Sequence, residues 1–170
     1  MAEPVLLICG IPGCGKSTFG RWLEETHGFL HVDMEASGLD RHGLGPSWEQ
    51  FVGDRSSRVF CDRLFDLPKP VVLDWGFPVT CLLVVDALRR QGVRLWWFTG
   101  DRLFARINFL KGKGPDPRPF DCQYADISAH WAVISPVFSD RIIRMVRQDG
   151  SCMLYEEVYQ ELVHRGDVPA

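Results

Sequence analysis

Val5-Leu6-Leu7-Ile8-Cys9 and the segment after it, Gly10-Ile11-Pro12-Gly13-Cys14-Gly15-Lys16-Ser17, set an apolar run against a glycine-rich turn. The run carries no polar residue, as a strand covered on both faces requires. The turn fits G-x-x-x-x-G-K-[ST] at every fixed position. Beyond it, Phe19, Trp22 and Leu23 share one helix face, and Gly28 is placed to end that helix. Strand, glycine turn and helix in this order form a phosphate-binding loop. Its glycines let backbone N–H groups approach phosphate oxygens with no Cβ in the way. Lys16 reaches the β- and γ-phosphates, Ser17 offers a hydroxyl to a magnesium ion, and Thr18 extends the helix start toward the α-phosphate. The helix adds unpaired N–H groups and the positive end of its dipole. The nucleotide-binding set is therefore Gly10, Ile11, Pro12, Gly13, Cys14, Gly15, Lys16, Ser17 and Thr18.

The remaining sequence alternates strand and helix signals. Phe29–Asp33, Val71–Asp74, Val93–Phe98 and Arg141–Val146 read as further strands. Helical spacing runs from Trp48 to Leu67, from Pro78 to Arg90, through Leu103, Ile107 and Leu110, around 126–133, and from Met153 to His164. Residues 34–45 read as irregular, and Lys111 to Asp121, with three prolines and two glycines, as a mobile loop. Five strands interleaved with helices predict an α/β fold of three layers around a five-stranded parallel sheet. The 170 residues suit one domain, 1–170, with an acceptor-side helical insert over about 34–67 and a lid over about 111–122.

Composition excludes several classes. A net charge of −3 disfavours a broad nucleic-acid surface. No apolar stretch nears the ~18 residues of a membrane span, and the N-terminus has no basic-then-apolar leader, so a cytoplasmic protein is expected. The six cysteines form no C-x-x-C pair and read as thiols, not as a disulfide frame or zinc site. Cys14 differs in lying beside Lys16 and a helix start, where a thiolate would be stabilised. A plain filler of a variable position is the competing reading.

Ligands in parallel sheets bind at the carboxyl ends of the strands, and the notable polar residues fall there. Asp74 closes the third strand, where a carboxylate joins Ser17 in holding Mg2+; the alternative is a turn or cap acid. Asp33 closes the second strand, with Glu35 two residues on. An acid here faces an acceptor hydroxyl and takes its proton; the alternative is a solvated loop acid. Arg106, Lys111, Lys113 and Arg118 supply the positive charge that a transferring phosphoryl group needs, or else form a solvated basic surface. Trp48 and Trp75 are candidates for an acceptor pocket, and Gly150-Ser151 for a backbone contact near adenine. Trp96-Trp97-Phe98 reads as core.

With these residues in place the chain resembles the P-loop NTPases, and among them the P-loop kinases of nucleoside-monophosphate-kinase-like fold. Asp74-Trp75-Gly76-Phe77 is similar to the group that includes polynucleotide 5′-hydroxyl kinases and zeta-toxin-like proteins. Cys122-Gln123-Tyr124-Ala125-Asp126 is similar to the segment after the lid of gluconate kinase. The chain departs from shikimate kinase, which has a glycine triplet at 74–76, and from the polynucleotide-kinase group, which often has arginine where Ala36 stands. The resemblance implies ATP as co-substrate, Mg2+, and a lid, with Lys16, Asp33 and Arg106 in catalysis and Ser17 and Asp74 on the metal. It does not name the acceptor: a small-molecule hydroxyl or a nucleic-acid end. Two other activities fit a nucleotide site: a hydrolysing conformational switch and a binding module without transfer. The Asn/Thr-Lys-x-Asp motif of GTPases does not occur, and a pure binding module needs no paired acids and basic lid. A phosphotransferase is the leading expectation.

Overall fold

The computed structural model describes residues 3–35, 38–54 and 56–169. Ala36 lies outside them. Five strands form the sheet: β1 (Val5–Gly10), β2 (Leu30–Asp33), β3 (Val71–Asp74), β4 (Arg94–Gly100) and β5 (Ile142–Val146). All pair in parallel, in the order β2-β3-β1-β4-β5. The chain leaves β1 toward β2 and β3, then returns past it to β4 and β5. That reversal opens a crevice at the carboxyl end of β1, where the glycine loop sits.

The helices are α1 (Lys16–His27), α2 (Gly38–Arg41), α3 (Gly45–Asp54), α4 (Ser57–Phe65), α5 (Leu82–Arg90), α6 (Arg102–Lys113), α7 (Arg118–Ala129), α8 (Trp131–Phe138) and α9 (Tyr155–His164). Alternation along β4 sorts them into layers, since neighbouring side chains of a strand point to opposite faces. Phe98 meets Phe19 of α1, which in turn meets Tyr155 of α9. Trp97 meets Phe138 of α8 and Phe77 on the other face. Both Trp97 and Phe98 are fully buried, so the three layers share a continuous core. Trp96 lies on the Phe98 face, where its Nε1–H donates to Asp167 Oδ2 at 3.0 Å. Asp167 also takes Arg141 Nε at 2.7 Å, which joins the C-terminal segment to the start of β5.

The strands and the α/β class agree with the sequence; several connections do not. The helical spacing over Trp48–Leu67 resolves into two helices, α3 and α4. The irregular 34–45 segment contains α2 and the start of α3. The helix expected from Pro78 begins as a 3-10 turn, Val79–Cys81, because Pro78 is extended. The helix around 126–133 is the end of α7 and the start of α8. Lys111–Asp121 is mostly not a loop: α6 runs to Lys113 and α7 starts at Arg118, leaving 114–117 as the connection. Proline is accepted in the first helical turn, where the N–H it lacks has no intrahelical partner. Pro117 and Pro119 therefore mark the start of α7. No helix among the described residues is long and apolar enough to cross a membrane.

Candidate functional site

The crevice is a cleft of about 520 Å3. Its floor is the glycine loop. Gly13 and Gly15 hold φ of +75° and +80°, in the left-handed region. A Cβ on Gly13 would also strike the Ala105 carbonyl of α6, so the loop and α6 pack at backbone distance. Lys16 Nζ donates to the carbonyl oxygens of Gly10 at 3.2 Å and Ile11 at 3.1 Å. Pro12 to Thr18 all line the cleft; Gly10 and Ile11 are buried beneath it.

Parallel register brings the two strand-end acids together. Asp33 on β2 pairs with Asp74 on β3, which pairs with Ile8 on β1. Asp74 is 3% exposed, and both of its oxygens are engaged. Ser17 Oγ donates to Oδ1 at 3.0 Å, and His31 Nε2 bonds to Oδ2. A hydroxyl and one carboxylate oxygen side by side are hard oxygen donors that suit Mg2+. That ion binds through one or two carboxylates and phosphate oxygens and keeps several waters. Ser17 and Asp74 are the residues that would hold it. Among the described residues no group of three or more His, Cys, Asp or Glu forms a cage.

Asp33 and Glu35 also line the cleft, with Gly76 and Gln123. Asp33 Oδ1 accepts the Glu35 N–H at 2.9 Å, so Asp33 both shapes its turn and faces the cleft. Gly76 is clasped from two sides: its N–H donates to Glu35 Oε1 at 2.9 Å, and its carbonyl accepts Gln123 Nε2 at 2.8 Å. These bonds tie the ends of β2 and β3 to α7.

The basic residues divide. Lys113 lines the cleft from α6, with Asn108, Phe109 and Gly112. Arg106 does not line it; its guanidinium makes a two-pronged pair with Asp121 of α7, Nε to Oδ1 at 3.1 Å and Nη2 to Oδ2 at 3.0 Å. That partner holds the Asp121 carboxyl below its ordinary range. Arg118 is exposed and pairs with Asp116 at 2.7 Å, and Lys111 is exposed outside the cleft. The Arg106–Asp121 pair joins two helices, so it depends on the geometry of their connection; the Arg118–Asp116 pair is local, two residues apart. The cation missed by sequence is Arg21, which lines the cleft one helical turn beyond Ser17. Also missed were the bond from His31 to Asp74 and the clasp by Gln123.

Three smaller expectations change. Burial pushes the Cys14 thiol up to about 12 despite Lys16, so it is a buried filler of the loop. Trp75 packs edge-on to Trp48 at 5.2 Å in the core, and neither lines the cleft. The cleft end next to β5 is formed by Met145, Val146, Cys152 and Tyr155, not by Gly150 and Ser151.

The same arrangement of strands and helices occurs in solved structures. A shikimate kinase from Bacteroides thetaiotaomicron matches at TM-score 0.57 and 14% identity, over 97% of this chain and 99% of that one. The fold is the P-loop kinase fold of nucleoside-monophosphate-kinase type. A gluconokinase from Sinorhizobium meliloti matches at TM-score 0.54 and 15% identity, over 96% and 92%. A Deinococcus radiodurans tunicamycin resistance protein matches at TM-score 0.59 and 13% identity, over 98% and 96%. No protein-family model and no curated protein matches the sequence.

Proposed function

We propose that this protein is an ATP-dependent phosphotransferase that moves the γ-phosphoryl group of ATP to a hydroxyl of a small molecule. The observation that carries this reading is that one cleft joins the Lys16–Ser17–Asp74 corner to a separate acid, Asp33. A site for binding alone needs only the first. Kinases named for small-molecule substrates among the fold neighbours support the same reading.

In this scheme the glycine loop wraps the phosphates, and Lys16 turns from its own carbonyls to the β- and γ-oxygens. Ser17 and Asp74 would hold Mg2+, which would supply neutralisation of phosphate charge when bound. Asp33 orients the acceptor hydroxyl in line with the γ-phosphorus and takes its proton as the new O–P bond forms and the β–γ bridge breaks. Lys113, which lines the cleft, neutralises the transferring group, the part the sequence assigns to Arg106 and a lid cation. Arg106 instead ties α6 to α7 through Asp121, so that the two helices move as a lid in one piece. The acceptor end offers two carboxylates and an amide, which suit hydroxyl or amine groups.

The test is ATP consumption and product formation against sugars, amino alcohols, small acids, nucleosides and 5′-hydroxyl oligonucleotides. Lys16→Ala serves as control. Acceptor-dependent transfer that needs Lys16 is the expected result. ATP loss without any acceptor would instead indicate a hydrolysing switch.

A further inference from the structure

His31 lies on β2, separated by β3 from β1 and the phosphate loop, and has no part in the proposed transfer. Two observations place it. Its Nε2 bonds to Asp74 Oδ2, on the oxygen that Ser17 does not use. The other is Gly20, in the middle of α1, whose absent Cβ would run into the His31 ring. Glycine inside a helix is less stable than alanine there, and here it leaves room for the imidazole beneath the helix.

We propose that His31 is a positioning residue for the metal carboxylate. An ionised carboxylate only accepts, so the ring presents Nε2–H to Asp74. That bond fixes the carboxylate's rotation and leaves Oδ1 turned toward Ser17 and the cleft. Without it a buried oxygen loses its partner and the carboxylate turns to find another. Partners that orient a metal ligand in this way typically change metal affinity by about 10–100-fold when removed. The proposal rests on the nucleotide reading of the cleft.

The experiment is calorimetric binding of the non-hydrolysable imido analogue of ATP, in excess Mg2+ and in EDTA, to the full chain. The ratio of the two affinities reports how strongly Mg2+ and nucleotide support each other. His31→Gln keeps a donor near the Nε2 position; His31→Asn does not reach it. Gly20→Ala removes no polar group but displaces the ring. The expected result is a ratio lowered about 10-fold or more in His31→Asn and Gly20→Ala, mostly retained in His31→Gln, with affinity in EDTA within about twofold of the parent. An unchanged ratio in His31→Asn overturns the proposal. So does equal loss in EDTA and in Mg2+, which marks His31 as a packing residue. A parent that binds the analogue equally well with and without Mg2+ overturns it while leaving the phosphate loop intact. A parent that binds no nucleotide at all removes the functional reading itself, and the proposal with it.

Discussion

Lys16, Asp33 and Cys14 each carry a prediction that concerns a single side chain. Lys16 is held by two backbone carbonyls of its own loop, so its removal disturbs no core contact. Lys16→Ala is expected to cut phosphoryl transfer at least ~100-fold with an unchanged circular-dichroism spectrum. Asp33 lines the cleft beside Asp74, but its carboxylate bonds the Glu35 N–H and not Ser17. Asp33→Asn is therefore expected to lower kcat by about 100–1,000-fold while ATP affinity, measured by titration, stays within about twofold. Loss of ATP binding in that variant would assign Asp33 to the metal. Burial holds the Cys14 thiol near 12, so at pH 8 it stays protonated. Brief alkylation at that pH, read by peptide mass mapping, is expected to label the exposed Cys122 and Cys152 and spare Cys14.

Elements meet at Gly76, where the β2 and β3 ends join α7. A Cβ there would stand 2.6 Å from Glu35 Oε1 and 3.1 Å from Gln123 Nε2. Both are ends of flexible side chains, which can swing aside. Gly76→Ala is therefore expected to change stability by less than about 1 kcal/mol but to break both bonds of the clasp. The measurement is kinetic: KM for the acceptor rises while KM for ATP holds. At this scale the strands were legible because parallel strands buried on both faces read as apolar runs. The α6–α7 turn was not, since proline marks a loop or a helix start equally well until its neighbours are known. Arg106 reads as a helix residue from the sequence as well; that Asp121 already pairs with it is decided only by α7 folding back on α6.

For the whole molecule, Asp167 stands out as a buried carboxylate shared by Arg141 and Trp96. Asp167→Ala leaves an indole N–H and a guanidinium short of their partner and is expected to lower unfolding free energy by about 3 kcal/mol. Urea denaturation would show it as a lower midpoint at constant slope. None of Trp96, Arg141 and Asp167 lines the cleft, so nucleotide affinity should survive in the folded fraction.

What the sequence determined alone is the glycine loop, the donor half of the proposed site. The phosphate loop is contiguous, and its chemistry is built from backbone geometry that glycine spacing dictates. The periodicity of apolar residues likewise determined the parallel sheet and its layers. Tertiary structure decided everything that depends on residues far apart in the chain. Register set Asp33 beside Asp74, packing against Gly20 brought His31 to the same carboxylate, and the α6–α7 turn placed Lys113 in the cleft and Arg106 on Asp121. Side-chain pairing across elements follows from where the backbones cross, and no local pattern encodes that crossing.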